Sequence, residues 1–334
     1  MPYISLDDKQ FILSEGETVL DCLIRHDQEI SYACRSGVCQ SCLVKVEQGE
    51  VDDRASAGLK DTLRADGYAL ACQCAPSEDL RIQLPGADVA AVEVSIYGID
   101  RLSENVMCLR LSPVVGQEVF ASRPGQYLNV INPAGVARSY SIANDLETDG
   151  YWELHIANTS HGEFTQWLFS QAEPGMVLHV RGPAGDCFYV NEQQESFPIL
   201  LAGTGTGLAP LYGILHTALR AGHKGDITLL HGGLNPQRLY LLDELKRLDE
   251  QFENFRYRAL VLNNEPKDDR VECGDLTLEA IESLAHDALG EQRVYLCGAP
   301  DFVHGLRRSI FMKGVKSANI FCDAFVTKPS NAVA

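Results

Sequence analysis

The sequence predicts a multidomain α+β and α/β protein with three parts in series: a small α+β module, an antiparallel β-barrel and a doubly wound parallel sheet. Three observations predict it. A loop holding Cys34, Cys39 and Cys42 lies between short strands, with Cys72 further on. Short segments of alternating apolar and polar residues follow, separated by Gly, Pro and Asn. From Pro198 onward, strands alternate with helical patterns, starting at a Gly-rich turn. The 334 residues allow two or three domains, each able to bury its own core.

Residues 1–88 form the first part. Tyr3–Leu6 and Gln10–Leu13 read as short strands around the turn Asp7-Asp8. Glu17–Arg25 carries apolar residues at helical spacing. After the loop comes a strand over Cys42–Glu47 and a turn at Gln48-Gly49-Glu50. Leu84-Pro85-Gly86-Ala87-Asp88 reads as a linker. Cys34, Cys39 and Cys42 have the spacing C-x4-C-x2-C, and Cys72 follows after a gap of 29 residues. This is the plant-type arrangement for holding a [2Fe–2S] cluster by four thiolates. Ala33, Ser36, Gly37 and Ser41 are small, so backbone N–H groups can approach the sulfides. Disulfides or a structural zinc are the alternatives. Zinc knuckles usually come as paired C-x2-C, and only Cys39/Cys42 has that spacing. Cys74, two residues past the expected gap, is the weaker candidate for fourth ligand.

Residues 92–190 form the second part. Val92–Tyr97, Val106–Leu111, Tyr127–Ile131, Arg138–Ile142, Trp152–Ile156 and Val177–Val180 read as strands. Short strands at such intervals suggest a barrel. Phe164–Ser170 reads as a short helix.

Residues 196–334 form the third part. Ile199–Ala202 is a buried-type strand running into Gly203-Thr204-Gly205-Thr206-Gly207-Leu208-Ala209-Pro210, with a helix to about Ala221. Ile227–His231, Arg256–Leu262 and Arg293–Cys297 read as strands. Leu239–Leu248, Glu279–Leu289 and Asp301–Lys313 read as helices. The alternation implies a doubly wound parallel sheet. No internal repeat or low-complexity tract is visible.

The formal net charge of −18 disfavours nucleic acid and anionic membrane as partners. Residues 1–88 hold 8 Lys/Arg against 16 Asp/Glu. An acidic face around a redox centre could steer a basic protein, or it could simply be a solvated surface. There are 11 cysteines, and those outside the four show no regular spacing, so a reducing cytoplasm is expected rather than a disulfide framework. The N-terminus lacks the profile of a signal peptide, and no apolar run is long enough to span a bilayer. The nine histidines show no metal-ligand spacing, and His155, His161 and His231 are expected to be structural.

The order of these motifs carries a resemblance over nearly the whole chain. Arg138-Ser139-Tyr140-Ser141 lies between the cysteine module and the Gly-rich turn. In that order the chain resembles the ferredoxin–NADP reductase superfamily, in particular the iron–sulfur flavoprotein reductases of bacterial oxygenases. The resemblance implies a β-grasp ferredoxin domain, a flavin barrel and a nicotinamide domain. It matches R-x-Y-[ST] to Arg138, Tyr140 and Ser141. The Arg would pair with the FAD pyrophosphate, the Tyr pack on the ring, and the Ser stand near the hydride-accepting N5. Gly162 and Thr165 match G-x-x-[ST] at a helix start, where free N–H groups can hold a pyrophosphate. Many relatives carry basic residues just upstream, where this chain has Ala157 and Asn158. Gly182-Pro-Ala-Gly185 resembles the turn that closes the flavin domain. Gly203, Thr204, Gly205, Gly207 and Pro210 match the nucleotide-binding turn, in which glycines bring backbone close to a pyrophosphate. Cys297, in Cys297-Gly-Ala-Pro300, would border the nicotinamide. Phe325, in Asp323-Ala-Phe325, would cover the flavin face.

The implied activity is NAD(P)H oxidation with hydride transfer to FAD, followed by single-electron transfer through the cluster to a protein acceptor. The acceptor would be an oxygenase component or its ferredoxin. A reductase for a deoxysugar dehydratase uses the same three modules. An electron-carrier docking module with an inactive flavin half is a reading from another class. Arg238, after the second strand of the third part, is the candidate for a nucleotide 2′-phosphate, and NADH is expected over NADPH. A monomer is expected.

Overall fold

The computed structural model describes residues 2–37, 39–57, 59, 67–84, 91–117, 119–159, 162–190, 196–262 and 268–326. Most of the expected linker beyond Leu84, His161, and the expected domain ends at 88 and 334 lie outside the described residues.

The first sheet has β1 (Tyr3–Leu6), β2 (Lys9–Ile12), β3 (Leu43–Gln48), β4 (Tyr68–Leu70) and β5 (Leu80–Gln83). Their order is β2-β1-β5-β3-β4, with β1 and β5 parallel and the other pairs antiparallel. β1 and β2 form a hairpin whose turn starts at Asp7 with φ 53°, the left-handed conformation that a tight two-residue turn requires. The helix begins at Val19, two residues later than the apolar spacing predicts. Thr18 stays extended, and its side chain accepts from Asp21 N–H as the N-cap. Leu20, Leu23, Ile4 and Ile82 build the core beneath it.

The second sheet has β6 (Val92–Ser103), β7 (Val106–Pro113), β8 (Tyr127–Ile131), β9 (Ala137–Ser141), β10 (Trp152–Ala157) and β11 (Val177–Ala184). The order is β10-β7-β6-β11-β8-β9, antiparallel throughout. A bridge between Ile142 and Leu154 joins the β9 end of the sheet back to β10, so the sheet closes into the expected barrel. β6 runs past Tyr97, where the alternation in sequence stops. The ladder is irregular between Ile96 and Gly98, which changes the face presented beyond it. Val94, Leu109, Leu128, Val130, Trp152 and Leu178 fill the interior.

The third sheet has β12 (Ile199–Thr204), β13 (Ile227–Gly233), β14 (Phe255–Val261), β15 (Val271–Cys273), β16 (Arg293–Gly298) and β17 (Ile320–Ala324). All six are parallel, in the order β15-β14-β13-β12-β16-β17. The order reverses between β12 and β16, and the carboxyl ends of these two strands frame the crevice where such sheets bind ligands. The helix expected over Glu279–Leu289 occupies Leu276–Glu282 instead. Asp275 fixes its start by accepting from Thr277 and Leu278 N–H, and the rest of the segment turns through His286–Ala288. The helix expected from Leu239 begins at Leu242, because Leu239 and Tyr240 are spent in the core and Leu241 takes φ 58°. No helix among the described residues is long and apolar enough to cross a membrane.

Candidate functional site

The four cysteines meet as two pairs. Cys34 N–H donates to Cys39 Sγ at 3.4 Å, and Cys39 N–H returns a bond to Cys34 Sγ at 3.3 Å. Ser36 N–H also points at Cys34 Sγ, at 3.4 Å. Cys72 N–H donates to Cys42 Sγ at 3.5 Å, and Gln73 Nε2 lies 3.6 Å from Cys72 Sγ. The hydrogen bond with Cys39 holds the Cys34 thiol low, and that with Cys42 does the same for Cys72. Among the described residues, the one trio of possible ligand atoms all within 4.8 Å of one another is Cys108, Glu153 and His155. The loop thiols are therefore not gathered around one point, as a single zinc with bonds of about 2.3 Å needs. Two pairs suit two irons. Cys74 lies apart in the apolar core with Val19 and Leu20, and burial pushes its thiol up to about 12.

The Cys108–Glu153–His155 trio was not legible as a spacing. Glu153 accepts from Arg110 Nε at 2.8 Å and lies 3.1 Å from His155 Nε2. His155 Nδ1 lies 3.2 Å from Tyr240 OH. Arg110 already supplies the positive charge here, so the cluster reads as a satisfied bridge between barrel and third sheet.

On β9 the register pairs Ser139 with Asn129 and Ser141 with Tyr127, so these four share one face. Arg138 and Tyr140 share the other, paired with Val130 and Leu128. The Tyr140 ring packs on Phe164 at 5.2 Å, and burial raises its hydroxyl pKa. Arg138 is half-buried and donates Nη1 to Ala137 O at 2.7 Å; no carboxylate pairs with it among the described residues. Its remaining donors suit a phosphate. Asn129 is buried, and neither atom of its amide has a partner. A bound polar group beside β9 would satisfy it. No motif marks Asn129.

Ser141 Oγ donates to Asp323 Oδ2 at 2.8 Å, so the end of β17 lies against the end of β9. Burial pushes the Asp323 carboxyl up to about 6. Asp323 was read only as part of a three-residue resemblance, not as a site residue. Phe325, half-buried, donates its N–H to Gly298 O at 2.8 Å.

Gly162 caps the helix Glu163–Ser170 without a side-chain bond, so its own side of the first turn offers backbone N–H groups only. The Thr165 hydroxyl is engaged by Thr159 and by Gly162 O, so only its backbone N–H remains for a ligand.

The glycines of the nucleotide turn divide by role. A Cβ on Gly207 would stand 2.3 Å from Cys297 O, and one on Gly203 would stand 2.7 Å from Leu211 Cδ1. Gly203 lets the following helix pack on β12, and Gly207 lets the turn lie against the end of β16. Gly205, at φ 55°, has nothing within 4 Å of a Cβ, so the Cβ side of its backbone is open, while its carbonyl oxygen lies 3.2 Å from His231 Nε2. Thr204 Oγ1 accepts from Ala299 N–H at 3.0 Å, tying the two strand ends together. Pro210 is buried in the first helical turn. The Cys297 thiol is fully buried, 3.7 Å from Cys187 Sγ. The whole residue is buried, and its carbonyl oxygen lies against the Gly207 turn. Arg238 is exposed at the end of the short Pro236–Arg238 turn.

The fold and these sites define an iron–sulfur flavoprotein oxidoreductase. Three family descriptions match in the same order: a 2Fe-2S iron-sulfur cluster binding domain over residues 4–77, an oxidoreductase FAD-binding domain over 93–189 and an oxidoreductase NAD-binding domain over 201–308. The chain is 31% identical to the ferredoxin–NAD(P)+ reductase component of a naphthalene 1,2-dioxygenase system from Pseudomonas putida, covering 93% of this chain and 94% of that one. It is also 31% identical to the reductase subunit of an aromatic O-demethylase from an Amycolatopsis species, covering 90% and 91%. The crystal structure of the Amycolatopsis cytochrome P450 reductase GcoB superposes with a TM-score of 0.67 at 27% identity, covering 98% of this chain and 99% of that one. The chain belongs to the family of iron–sulfur flavoprotein reductase components of bacterial oxygenase systems. It is an NAD(P)H-dependent oxidoreductase with domains for [2Fe–2S], FAD and NAD.

Proposed function

We propose that this chain takes electrons from NADH through FAD and the [2Fe–2S] cluster and delivers them to an oxygenase component or the ferredoxin that feeds one. The hydrogen bond from Ser141 to Asp323 carries this reading. It joins the strand ends of the nucleotide crevice to the flavin strand. That strand in turn touches the cysteine loop, where Ser139 meets Ser41 at 2.8 Å. When bound, the nicotinamide supplies a hydride, the flavin takes two electrons and releases them singly, and the cluster carries one at a time.

The residues divide the work as follows. Cys34 with Cys39, and Cys42 with Cys72, hold the cluster. Arg138 binds the flavin pyrophosphate through its forked donors, aided by the first-turn N–H groups after Gly162 and at Thr165. Tyr140 backs the ring, and Asn129 satisfies its amide on the bound flavin. Ser141 stands at the hydride-accepting atom, and Asp323 fixes the direction of its hydroxyl. The bare backbone at Gly205 and the Thr204 turn receive the nucleotide pyrophosphate, with Gly203, Gly207 and Pro210 shaping the approach. Cys297 acts through the shape of the crevice wall. Phe325 would cover the face of the bound flavin. The parts 1–88, 92–190 and 196–334 act as separate domains of a cytoplasmic monomer.

Anaerobic addition of NADH tests the reading. The yellow flavin band should bleach and the reduced-cluster EPR signal should rise. A preparation with no flavin, or with a cluster that NADH cannot reduce, overturns it.

A further inference from the structure

A line of buried contacts runs from the flavin barrel to the nucleotide turn. On β10, Glu153 accepts from Arg110 Nε at 2.8 Å, and its other oxygen lies 3.1 Å from His155 Nε2. His155 Nδ1 lies 3.2 Å from the hydroxyl of Tyr240, which stands between β13 and the helix Leu242–Gln251. The Tyr240 ring meets the His231 ring edge-on, with centroids 5.5 Å apart and planes at 86°. His231 Nε2 ends the line 3.2 Å from Gly205 O. His155, Tyr240 and His231 are all buried. β10 also packs directly against the Gly205–Gly207 turn.

The donor directions follow from proton counting. A carboxylate paired with Arg110 only accepts, so His155 donates to Glu153 from Nε2. In the neutral ring Nδ1 is then the acceptor, and Tyr240 O–H donates to it. Glu153 thereby fixes the tautomer of His155, and the tautomer fixes where the Tyr240 hydroxyl points. Leu241, the next residue, takes φ 58°. A bulky side chain keeps that left-handed conformation where its surroundings over-determine it. Here they hold Tyr240 inward, between the rings of His155 and His231. Hydride transfer needs its reacting atoms held about 3–3.5 Å apart, so a small shift of one domain on the other costs rate.

We propose that His155 and Tyr240 are positioning residues for hydride transfer. Their hydrogen bond fixes the parallel sheet on the flavin barrel, and Tyr240, packed on His231, steadies the Gly205 turn that receives the nucleotide pyrophosphate. This rests on the reading in which the barrel holds FAD and that turn holds NADH.

The test uses the full chain with its cofactors and the variants Tyr240→Phe, His155→Gln, His155→Asn and the double His155→Gln/Tyr240→Phe. Tyr257→Phe is the control: Tyr257 lies in the same core, and its hydroxyl has no partner among the described residues. Stopped-flow mixing over a range of NADH concentrations gives the limiting rate of flavin reduction and the concentration at half that rate. Dithionite, which needs no nucleotide site, reduces the same flavin as a reference. Tyr240→Phe keeps the ring on His231 and removes only the bond to His155. Its limiting rate should fall several-fold, with the half-saturating concentration within about twofold of wild type and the dithionite rate unchanged. His155→Gln places its amide where Nε2 stood, so it reaches Glu153 but not Tyr240, and should match Tyr240→Phe. His155→Asn offers an acceptor where Nδ1 stood and should recover most of the rate. The double variant should be no slower than Tyr240→Phe, because both changes break one bond. A wild-type limiting rate in Tyr240→Phe overturns the proposal. So does an equal loss in Tyr257→Phe or in the dithionite reaction, since general loosening would then explain it. Equal rates in His155→Gln and His155→Asn overturn it as well, whether or not Tyr240→Phe folds. A wild-type chain whose flavin NADH does not reduce overturns the underlying reading, whereas a normal wild type with a silent Tyr240→Phe overturns the positioning role alone.

Discussion

Ser141 donates its hydroxyl to Asp323 across 182 positions of sequence, at 2.8 Å. The carboxyl is pushed up to about 6 mainly by burial, against the opposing pull of the Ser141 bond. Removing the hydroxyl in Ser141→Ala should slow flavin reduction by about tenfold to a hundredfold, the worth of one hydrogen bond to a charged group. Nucleotide affinity should change less, because the effect lies in positioning. A flavin held at Ser141 would gain negative charge on taking a hydride, and Asp323 would be the carboxyl nearest Ser141 to feel it. A neutral carboxyl tolerates that charge better than a carboxylate. Flavin reduction should therefore be faster below about pH 6 and fall as pH rises through that value. Asp323→Asn should flatten the limb. Stopped-flow rates from pH 5 to 8 check this, and an unchanged limb in the Asn variant removes Asp323 from the step.

Cys72 and Cys74 separate the cluster from the core. Cys72 N–H reaches Cys42 Sγ, while Cys74 lies among apolar side chains. Cys72→Ser should lose or destabilise the [2Fe–2S] centre, with NADH-to-ferricyanide activity surviving. Cys74→Ser should keep the EPR signal, at a stability cost of about 1–3 kcal/mol for burying an unpaired hydroxyl. The opposite pattern of signals reverses the ligand assignment.

The elements legible in sequence were those whose periodicity was driven by burial. β8, with all five residues buried, and β12 were read nearly in full. β4 and β15 are three residues each, and β17 buries only Ile320 fully, so none carries enough periodicity to register. The sites split in the same way. The cysteines declare themselves because metal chemistry fixes both residue type and spacing. Asn129 and Asp323 do not, since their meaning depends on β8 pairing with β9 and on the third sheet reaching the barrel. Ser41 was read as a small residue only, because its partner Ser139 lies 98 positions away.

His231 provides a pH test away from the redox centres. It is fully buried, and burial lowers its pKa from 6.5 to about 4. Its Nε2 lies 3.2 Å from Gly205 O, so the neutral ring donates there, while Nδ1 has no partner. The unfolded chain binds this proton more readily than the folded one between those two values. Stability from this group is therefore complete above about pH 6.5 and is lost as pH falls toward 4, by about 3 kcal/mol in all. His231→Gln should shrink the drop in Tm between pH 7 and pH 5. An equal drop in the variant shows that His231 does not titrate on unfolding.

We expect nucleotide choice to be decided in the turn beyond β13. That turn carries Leu234 and Arg238. Leu234 is 68% exposed, and a Cβ on Gly232 would meet Leu276 Cδ2 at 2.4 Å, so the crevice wall there is apolar. A 2′-phosphate carries up to two charges and needs several donors to offset its desolvation. Arg238 is the one cation of the 232–239 turn, while Asn235 and Gln237 are neutral. The ribose 2′-hydroxyl of NADH makes no such demand. Steady-state kcat/KM should favour NADH by about tenfold or more, the value of one unmatched charged hydrogen bond. Arg238→Ala should leave the NADH value close to wild type and weaken NADPH further. A preference for NADPH that collapses in Arg238→Ala would reverse the assignment and make Arg238 the phosphate ligand.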